Sequence, residues 1–373
     1  MTTRASVRHL AAAAVHVRIQ LRRPFATATG TWATRDAWIV RLRDADGRAG
    51  FGEVPLEPAA RPREVDLVAT EVRKTIEAIA TGTAPELLLA AEALPAAIRA
   101  GLEAALIGCG RAPVPGGMAS YGVAVPVNAT IDGGAIDDVV AAAEAAVAAG
   151  FASLKLKGGR ESSIEALVQR ITAVRAAVGA DVGLRLDVNG AWDMTTARAA
   201  LRALEPLDLE YVEQPLASDG SELHALADLR RSFGGRIAVD ESIVDVAGAR
   251  AVVEAAAADV LVLKPARLGG IRAAHAIGDL AAAAGVRVVV SNLLETGVGI
   301  AAGLALAASL DRHSVDGRRL AHGLATAELL TTDLLADPLL VSGGHLVSRD
   351  LAGLRLDNRA VQAHAVDGIG ERW

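Results

Sequence analysis

Two lysines and three acids in this 373-residue sequence have the types and spacing to do chemistry together with a third lysine. The lysines Lys155 and Lys157 lie in the run Leu154-Lys155-Leu156-Lys157. They are followed by Asp187, Glu213, Asp240 and Lys264. Residues two apart in a strand share a face, so both lysines point one way and both leucines the other. A charged edge strand is the plainer reading of two lysines, but this run sits among apolar strands. Two ammonium groups on an interior face each disfavour the other's charge and lower its pKa. That makes a lysine usable as a base near neutral pH. Asp187, Glu213 and Asp240 each follow an apolar run, in LRLDVN, LEYVEQP and IAVDES. One such carboxylate could merely cap a helix or pair with an arginine. Three clustered anions repel unless a cation sits among them, and all-oxygen ligands point to a hard ion, Mg²⁺ or Mn²⁺. Asn189 shares the face of Asp187, and Glu241 follows Asp240; both read as groups that orient the ligands. Lys264 ends the run Val260-Leu261-Val262-Leu263. The chemistry these parts imply is removal of a proton from the carbon beside a metal-bound carboxylate. Lys157 takes the proton, and metal and lysine charge hold the enediolate.

The elements that must position these groups alternate regularly. Lys157, Asp187, Glu213, Asp240, Lys264 and Ser291 stand at the ends of successive apolar runs, at intervals of 30, 26, 27, 24 and 27 residues. Each interval fits one strand, one helix and two loops. The runs are VPVNATI, SLKLK, GLRLDV, LEYVEQP, RIAVDE, DVLVLKP and VRVVVSN. Between them Ile136, Val139, Val140, Ala143 and Val147 fall on one helical face, with Gly150 at the C-terminal cap position. Continuous apolar strands alternating with helices mean a parallel sheet buried on both faces. A doubly wound open sheet would spread these strand ends along an edge. A β/α barrel gathers them at one mouth, where barrel active sites are built, and is the expected architecture. In it the strand of Lys264 lies across from that of Lys157. Residues 1–124 read as an α+β unit, with strands near 13–20, 37–43 and 50–54, a turn at Asp44–Gly47 and helices near 64–80 and 95–108. The Pro/Gly-rich stretch Ala112–Gly117 follows. The barrel is expected over 125–320, with 321–373 completing barrel and cap. Gly297-Val298-Gly299 matches a loose dinucleotide fingerprint but lacks its context. It reads as a helix N-terminus whose free N–H groups could hold a substrate carboxylate.

Composition narrows the class. Hydrophobic residues make up 52% and aromatics 3%, so the core must be Ala, Val and Leu. The net charge of −6 is spread along the chain without a basic stripe, which argues against nucleic acid as a partner. No run of about eighteen apolar residues suggests a membrane span. The alternation Val15, Val17, Ile19 reads as a first strand in preference to a signal peptide. Cys109 is the only cysteine, which excludes an intrachain disulfide and fits the cytoplasm. The oligomeric state is left open, a homo-oligomer included.

The motifs KLK, LRLDVNGAW, YVEQP, VDES and VLKP, in this order and spacing, resemble the enolase superfamily in its muconate-lactonizing subgroup. The resemblance spans nearly the whole chain. It implies an α/β fold: a modified (β/α) TIM-type barrel under an α+β capping domain formed from the N-terminal region and the C-terminal segment. It implies Mg²⁺ ligands at Asp187, Glu213 and Asp240, a base at Lys157 and an opposed lysine at Lys264, with Lys155, Asn189 and Glu241 in support. The subgroup includes o-succinylbenzoate synthases, muconate cycloisomerases, and racemases or epimerases of acylated amino acids and dipeptides. Three segments are similar to the synthases: ARLGG after Lys264, which lacks the lysine common before the Gly pair elsewhere; SNLLETGVG at Ser291–Gly299; and His322-Gly323-Leu324-Ala325-Thr326. Asn292 stands where the synthases carry a second serine, and the loop PLEPAARP at Pro55–Pro62 matches family cap loops loosely. The resemblance therefore implies a dehydration in menaquinone synthesis on a small carboxylate. Ser291, Asn292, Glu295 and Thr296 would contact the substrate. Cycloisomerisation or racemisation is the alternative, and a non-catalytic acid-binding protein the remote one.

Overall fold

The computed structural model describes residues 10–27, 30–57, 60–115, 121–310 and 319–370. The chain opens with an antiparallel meander, β1 (Ala11–Thr27), β2 (Gly30–Arg43) and β3 (Ala49–Pro55). The turn between β2 and β3 is closed by the Gly47 N–H donating to the Asp44 carbonyl at 3.0 Å, with Gly47 at φ +83°. The alternation in β1 divides its side chains between two cores. Val15, Val17 and Ile19 join the main core, whereas Ala12 and Ala14 pack with Trp38, Val40 and Leu42 in a second one. That second core is filled by Val72, Ile76 and Ile79 of helix α1 (Pro62–Ala80) and by Ile98, Leu102 and Leu106 on a later helix, α3 (Ala96–Gly108). Between them lies α2 (Pro85–Ala90), too short to show a periodicity in sequence. A Cβ on Gly52 would fall 1.9 Å from the Gly101 carbonyl oxygen, and one on Gly50 2.0 Å from that of Ala105. Helix α3 therefore rests directly on the backbone of β3, which only glycine permits.

The second unit repeats strand and helix. It runs β5 (Ala129–Ile131), α4 (Ile136–Ala148), β6 (Ser153–Lys157), α5 (Ile164–Val178), β7 (Gly183–Asp187), α6 (Met194–Leu204), β8 (Tyr211–Glu213) and α7 (Leu223–Ser232). It continues with β9 (Ile237–Val239), α8 (Val246–Glu254), β10 (Val260–Leu263), α9 (Pro265–Leu268), α10 (Ile271–Ala283), β11 (Arg287–Val290) and α11 (Gly297–Leu310). The strands β5 to β11 form one sheet in sequence order, its neighbours parallel. Parallel bridges Ser291–Gly323 and Val127–His322 join its two ends. Residues 322–323 thus act as a short eighth strand, and the sheet closes. The expected run VPVNATI is split. Its first part is β4 (Ala124–Pro126), which pairs with β12 (His345–Val347); Val127 bridges to the closing segment, and Ala129–Ile131 pairs with β6. After α12 (Asn358–His364), β13 (Ala365–Gly370) pairs antiparallel with β1, so the C-terminal segment completes the cap sheet. The barrel capped by both ends of the chain is the architecture the sequence implied.

The period of two sorts the barrel strands. Leu154, Leu156, Leu184, Leu186, Val212, Ile237, Leu261 and Leu263 belong to the main core with the helices. Tyr211, Ala238, Val260, Val262 and Val289 form a separate cluster, the packed interior of the barrel. Arg185 is wholly buried on the same inward face. It donates to Glu210 Oε2 (2.6 Å), to Asn128 Oδ1 (3.1 Å) and to the Ala321 carbonyl (2.6 Å), tying the closing segment to β7. Among the described residues no helix is long and apolar enough to cross a membrane.

Candidate active site

Strand register sets the chemical groups abreast. Lys157 pairs with Asp187, and Asp187 with Glu213, across three neighbouring strand ends. Neighbouring parallel strands lie about 4.8 Å apart, so these side chains must share one space. Lys157 Nζ donates to Asp187 Oδ2 (2.6 Å) and to Asn189 Oδ1 (3.2 Å). Lys155 Nζ reaches Asp187 Oδ2 (3.2 Å) and both oxygens of Glu213 (3.3 and 3.4 Å). Lys264 pairs with Asp240 Oδ2, and Arg267 Nη1 donates to Asp240 Oδ1 at 3.1 Å. Asn189 Nδ2 donates to Glu241 Oε1 at 3.1 Å, and its N–H to Asp187 Oδ1 at 3.1 Å. The lysines on β6 and at the end of β10 are four strands apart in an eight-stranded closure, hence on opposite walls. Both line a cavity of ≈ 280 Å³ with Asn189, Glu241, Arg267, Ser291 and Asn292.

The electrostatics follow from this interleaving. Burial works to neutralise Lys155, but Glu213 and Asp187 outweigh it and raise its pKa well above the usual lysine value. The expected mutual lowering of the lysine pair therefore fails at Lys155, because carboxylates stand between and beside the ammonium groups. Burial pushes the Asp187 carboxyl up, yet Lys157 and Lys155 more than offset this and hold it low. Asp240 is likewise held low, with Lys264 and Arg267 overcoming burial. Glu213 goes the other way: burial and the Asp187 charge push it up to about 8.

Among the described residues, no group of three or more His, Cys, Asp or Glu side chains is gathered into a ready metal cage. The lysines occupy the space between the acids instead. The donor set nonetheless fits a hard cation: Asp187, Glu213 and Asp240 are all 2% exposed or less and supply only oxygen. Glu241 Oε2 is also buried and has no hydrogen-bond partner among the described residues. A buried carboxylate oxygen without a partner, as at Glu241, is relieved by positive charge.

The segment expected to contact the substrate divides. Ser291 and Asn292 line the cavity, and Asn292 exchanges hydrogen bonds with Thr326 (2.8 and 3.0 Å). Glu295 and Thr296 do not line it. The Thr296 N–H and hydroxyl donate to Glu53 of the cap, and Glu295 Oε1 accepts from the Leu293 N–H. The N–H groups at the start of α11 are likewise committed. Gly297 donates to Asp333 Oδ1 (2.7 Å) and Gly299 to Glu53 Oε2 (3.0 Å), so the protein's own carboxylates stand where a substrate carboxylate was expected.

Sequence reasoning missed several residues. Arg267 lines the cavity and bridges Asp240 to Glu57 of the cap loop at 3.2 and 3.3 Å; its signal was a position one helical turn past Lys264. Gln214, wholly buried at φ +43°, accepts from the N–H groups of Asp240 (3.0 Å) and Ser242 (3.3 Å), locking the ends of β8 and β9 together. A buried non-glycine residue at positive φ beside such groups stores strain that the surrounding bonds must hold. Phe25 and Trp32, facing the cavity from the cap, had no local signal.

The Enolase C-terminal domain-like family model matches residues 138–359, more than half of the chain. The chain belongs to the enolase superfamily. It is 42% identical over 247 residues to the o-succinylbenzoate synthase of Thermobifida fusca, an alignment covering 64% of this chain and 73% of that protein. Among solved structures, the muconate lactonizing enzyme from Pseudomonas fluorescens, complexed with muconolactone, superposes with a TM-score of 0.82. It is 25% identical, over 96% of this chain and all (100%) of that one. A dipeptide epimerase from Enterococcus faecalis, complexed with Mg and a dipeptide, superposes with a TM-score of 0.78 at 26% identity, over 92% and 98% of the two chains. Relatives of this enolase-superfamily enzyme thus include a lyase and isomerases on one scaffold.

Proposed function

We propose that this enzyme is an o-succinylbenzoate synthase, dehydrating a hydroxylated cyclohexadiene carboxylate to the aromatic product. The observation that carries the reading is a single cavity with Lys157 and Lys264 on opposite walls above three buried carboxylates. The choice of dehydration over isomerisation rests on the likeness to the Thermobifida fusca synthase. Asp187, Glu213 and Asp240 would hold Mg²⁺ or Mn²⁺, with Asn189 and Glu241 orienting them. Held there, the ion would supply positive charge to a substrate carboxylate and so acidify the carbon beside it. Lys157 Nζ removes the ring proton from that carbon, and the electron pair passes into the carboxylate as an enediolate. Lys264 lies across the ring, where its ammonium charge balances the developing anion or rests over the ring face. Lys155 stays protonated between Asp187 and Glu213 and keeps their charge compensated. Collapse of the enediolate expels the ring hydroxyl, which takes the proton from Lys157 and leaves as water, giving the aromatic ring. Phe25, Trp32, Leu293 and Leu294 supply apolar wall that excludes water and packs against the ring. Asn292 and Ser291 offer polar contacts to the succinyl arm. The sole, buried Cys109 fits a cytoplasmic setting.

The test is direct. Protein supplied with Mg²⁺ and the succinyl-bearing hydroxycyclohexadiene carboxylate should raise an aromatic ultraviolet band. No band, together with α-proton exchange and inversion on N-acylamino acids or dipeptides, would assign a racemase or epimerase instead. No turnover or exchange with any carboxylate would indicate a binding protein.

A further inference from the structure

Glu295 and Thr296, in a segment the sequence marked as substrate-binding, have another use in this fold. Glu53 projects from cap strand β3 onto the start of the barrel helix α11. Its carboxylate accepts from the Thr296 hydroxyl (2.6 Å), the Thr296 N–H (3.1 Å) and the Gly299 N–H (3.0 Å). Arg35, on cap strand β2, donates to the carbonyls of Leu294 (3.4 Å) and Leu56. Glu295 packs against Gly299, where a Cβ would fall 2.3 Å from Glu295 Oε2. All four side chains are buried: Arg35 is 6% exposed, Glu53 5%, Glu295 4% and Thr296 3%. The loop they hold is the cavity wall. Ser291, Asn292, Leu293 and Leu294 line the cavity, and Leu294 sits at φ +59°. One end of this wall is fixed within the barrel by Asn292 and Thr326; the other end is held by this cap contact and the N–H bonds of α11.

We propose that Glu53, Arg35 and Glu295 are positioning residues that fasten the cap to the loop Ser291–Thr296 and so set the shape of the substrate-selecting wall without touching the substrate. The charge balance agrees with a built contact. Two buried carboxylates face one guanidinium, and Asp36, Glu57 and Lys264 are the further charges that act on the group. Burial pushes Glu53 up to about 7, and burial with the Glu53 charge pushes Glu295 up to about 8, so the pair shares a proton near neutrality. The helix N-terminus stabilises the carboxylate that remains ionised. The link from cap to wall explains why the Glu-Thr pair sits beside the cavity but turned away from it.

The inference rests on the proposed site for its kinetic arm only. Glu53→Ala, Glu53→Gln and Thr296→Val would be made in the full chain. Hydrogen–deuterium exchange would be read on the 291–299 segment without substrate, and kcat and KM in the ring dehydration. Glu53→Ala should speed exchange across 291–299 by about tenfold, leaving β7 to β9 unchanged, because buried N–H groups lose their acceptor. KM should rise by about tenfold while kcat stays within about threefold, the pattern of lost ground-state positioning. Glu53→Gln, which keeps one acceptor oxygen, should restore most of both. Unchanged exchange in a folded Glu53→Ala protein would overturn the proposal, as would a fall in kcat at constant KM. If Glu53→Ala does not fold, Thr296→Val removes the hydroxyl that donates to Glu53 and accepts from the Val298 N–H, and must speed exchange across 291–296, away from Val298; no shift there overturns the proposal. A wild-type enzyme that does not dehydrate the ring would refute the proposed reaction, and the exchange measurement would still decide this inference.

Discussion

Replacing Glu295 by glutamine should stabilise this enzyme at alkaline pH and do little in acid. Glu295 lies buried between Glu53 and the start of α11, and in the fold it keeps its proton up to about pH 8, against 4.5 for a free carboxyl. The folded chain therefore binds more protons than the unfolded chain between these values. Stability must fall as pH rises through that window. The slope for one proton is about 1.4 kcal/mol per pH unit, so the whole window is worth on the order of 5 kcal/mol at most. Glu53 competes for the same proton and Arg35 compensates part of the charge, which brings the expected figure to roughly 2 kcal/mol. Glutamine at this site has no charge to develop. Its amide oxygen can still accept from the Leu293 N–H that Glu295 Oε1 accepts from. Urea unfolding of wild type and Glu295→Gln, both with excess chelator, at pH 5.5 and pH 8.5 measures the effect as a difference of differences. The variant should gain roughly 2 kcal/mol on wild type between the two pH values. Titration of Glu213 and its neighbours is common to both proteins and cancels. Parallel pH dependences, or a variant that loses ground in alkali, would refute the reasoning that burial raises this carboxyl.

Other outcomes follow from the same geometry. Lys157→Ala should lower turnover by about 10²–10⁴-fold with the fold intact by circular dichroism, the usual worth of a general base. Chelation should abolish activity, and Mg²⁺ or Mn²⁺ should restore it; a chelator-insensitive enzyme would contradict the assignment of Asp187, Glu213 and Asp240. Gln214→Leu strips the acceptor from the Asp240 and Ser242 N–H groups. It should cost about 1–3 kcal/mol in urea unfolding and weaken metal binding by about 10–100-fold by calorimetry.

Much of the site was legible because barrel geometry turns sequence spacing into position. A strand ending in Lys157 and the next ending in Asp187 must place those side chains abreast, so regular intervals and apolar runs sufficed to find the acids and lysines. The motifs then added what spacing lacks, the kind of reaction that follows removal of the proton. What escaped the sequence depends on contacts between distant segments. The pull of Glu213 and Asp187 on Lys155 arises from side chains 58 and 32 residues away, and it reversed the expected sign of the lysine's shift. Glu53 meets Thr296 across 243 residues, and no local pattern shows that a Glu-Thr pair beside a cavity is turned toward the cap. Arg267 and Glu57 meet in the same way, from α9 to a loop with no periodicity. The split of VPVNATI between two sheets had a similar cause: β12, more than 200 residues later, takes its first half.

In the proposed reaction Lys157 takes the proton from the carbon beside the substrate carboxylate. The most direct measurement is the single-turnover rate of that C–H cleavage with Mg²⁺-loaded enzyme, on substrate carrying hydrogen or deuterium at that carbon, for wild type and Lys157→Ala. The wild-type rate should be slowed by deuterium, and the Lys157→Ala rate should be lower by about 10²–10⁴-fold. A Lys157→Ala enzyme that breaks the bond at the wild-type rate would contradict that role of Lys157.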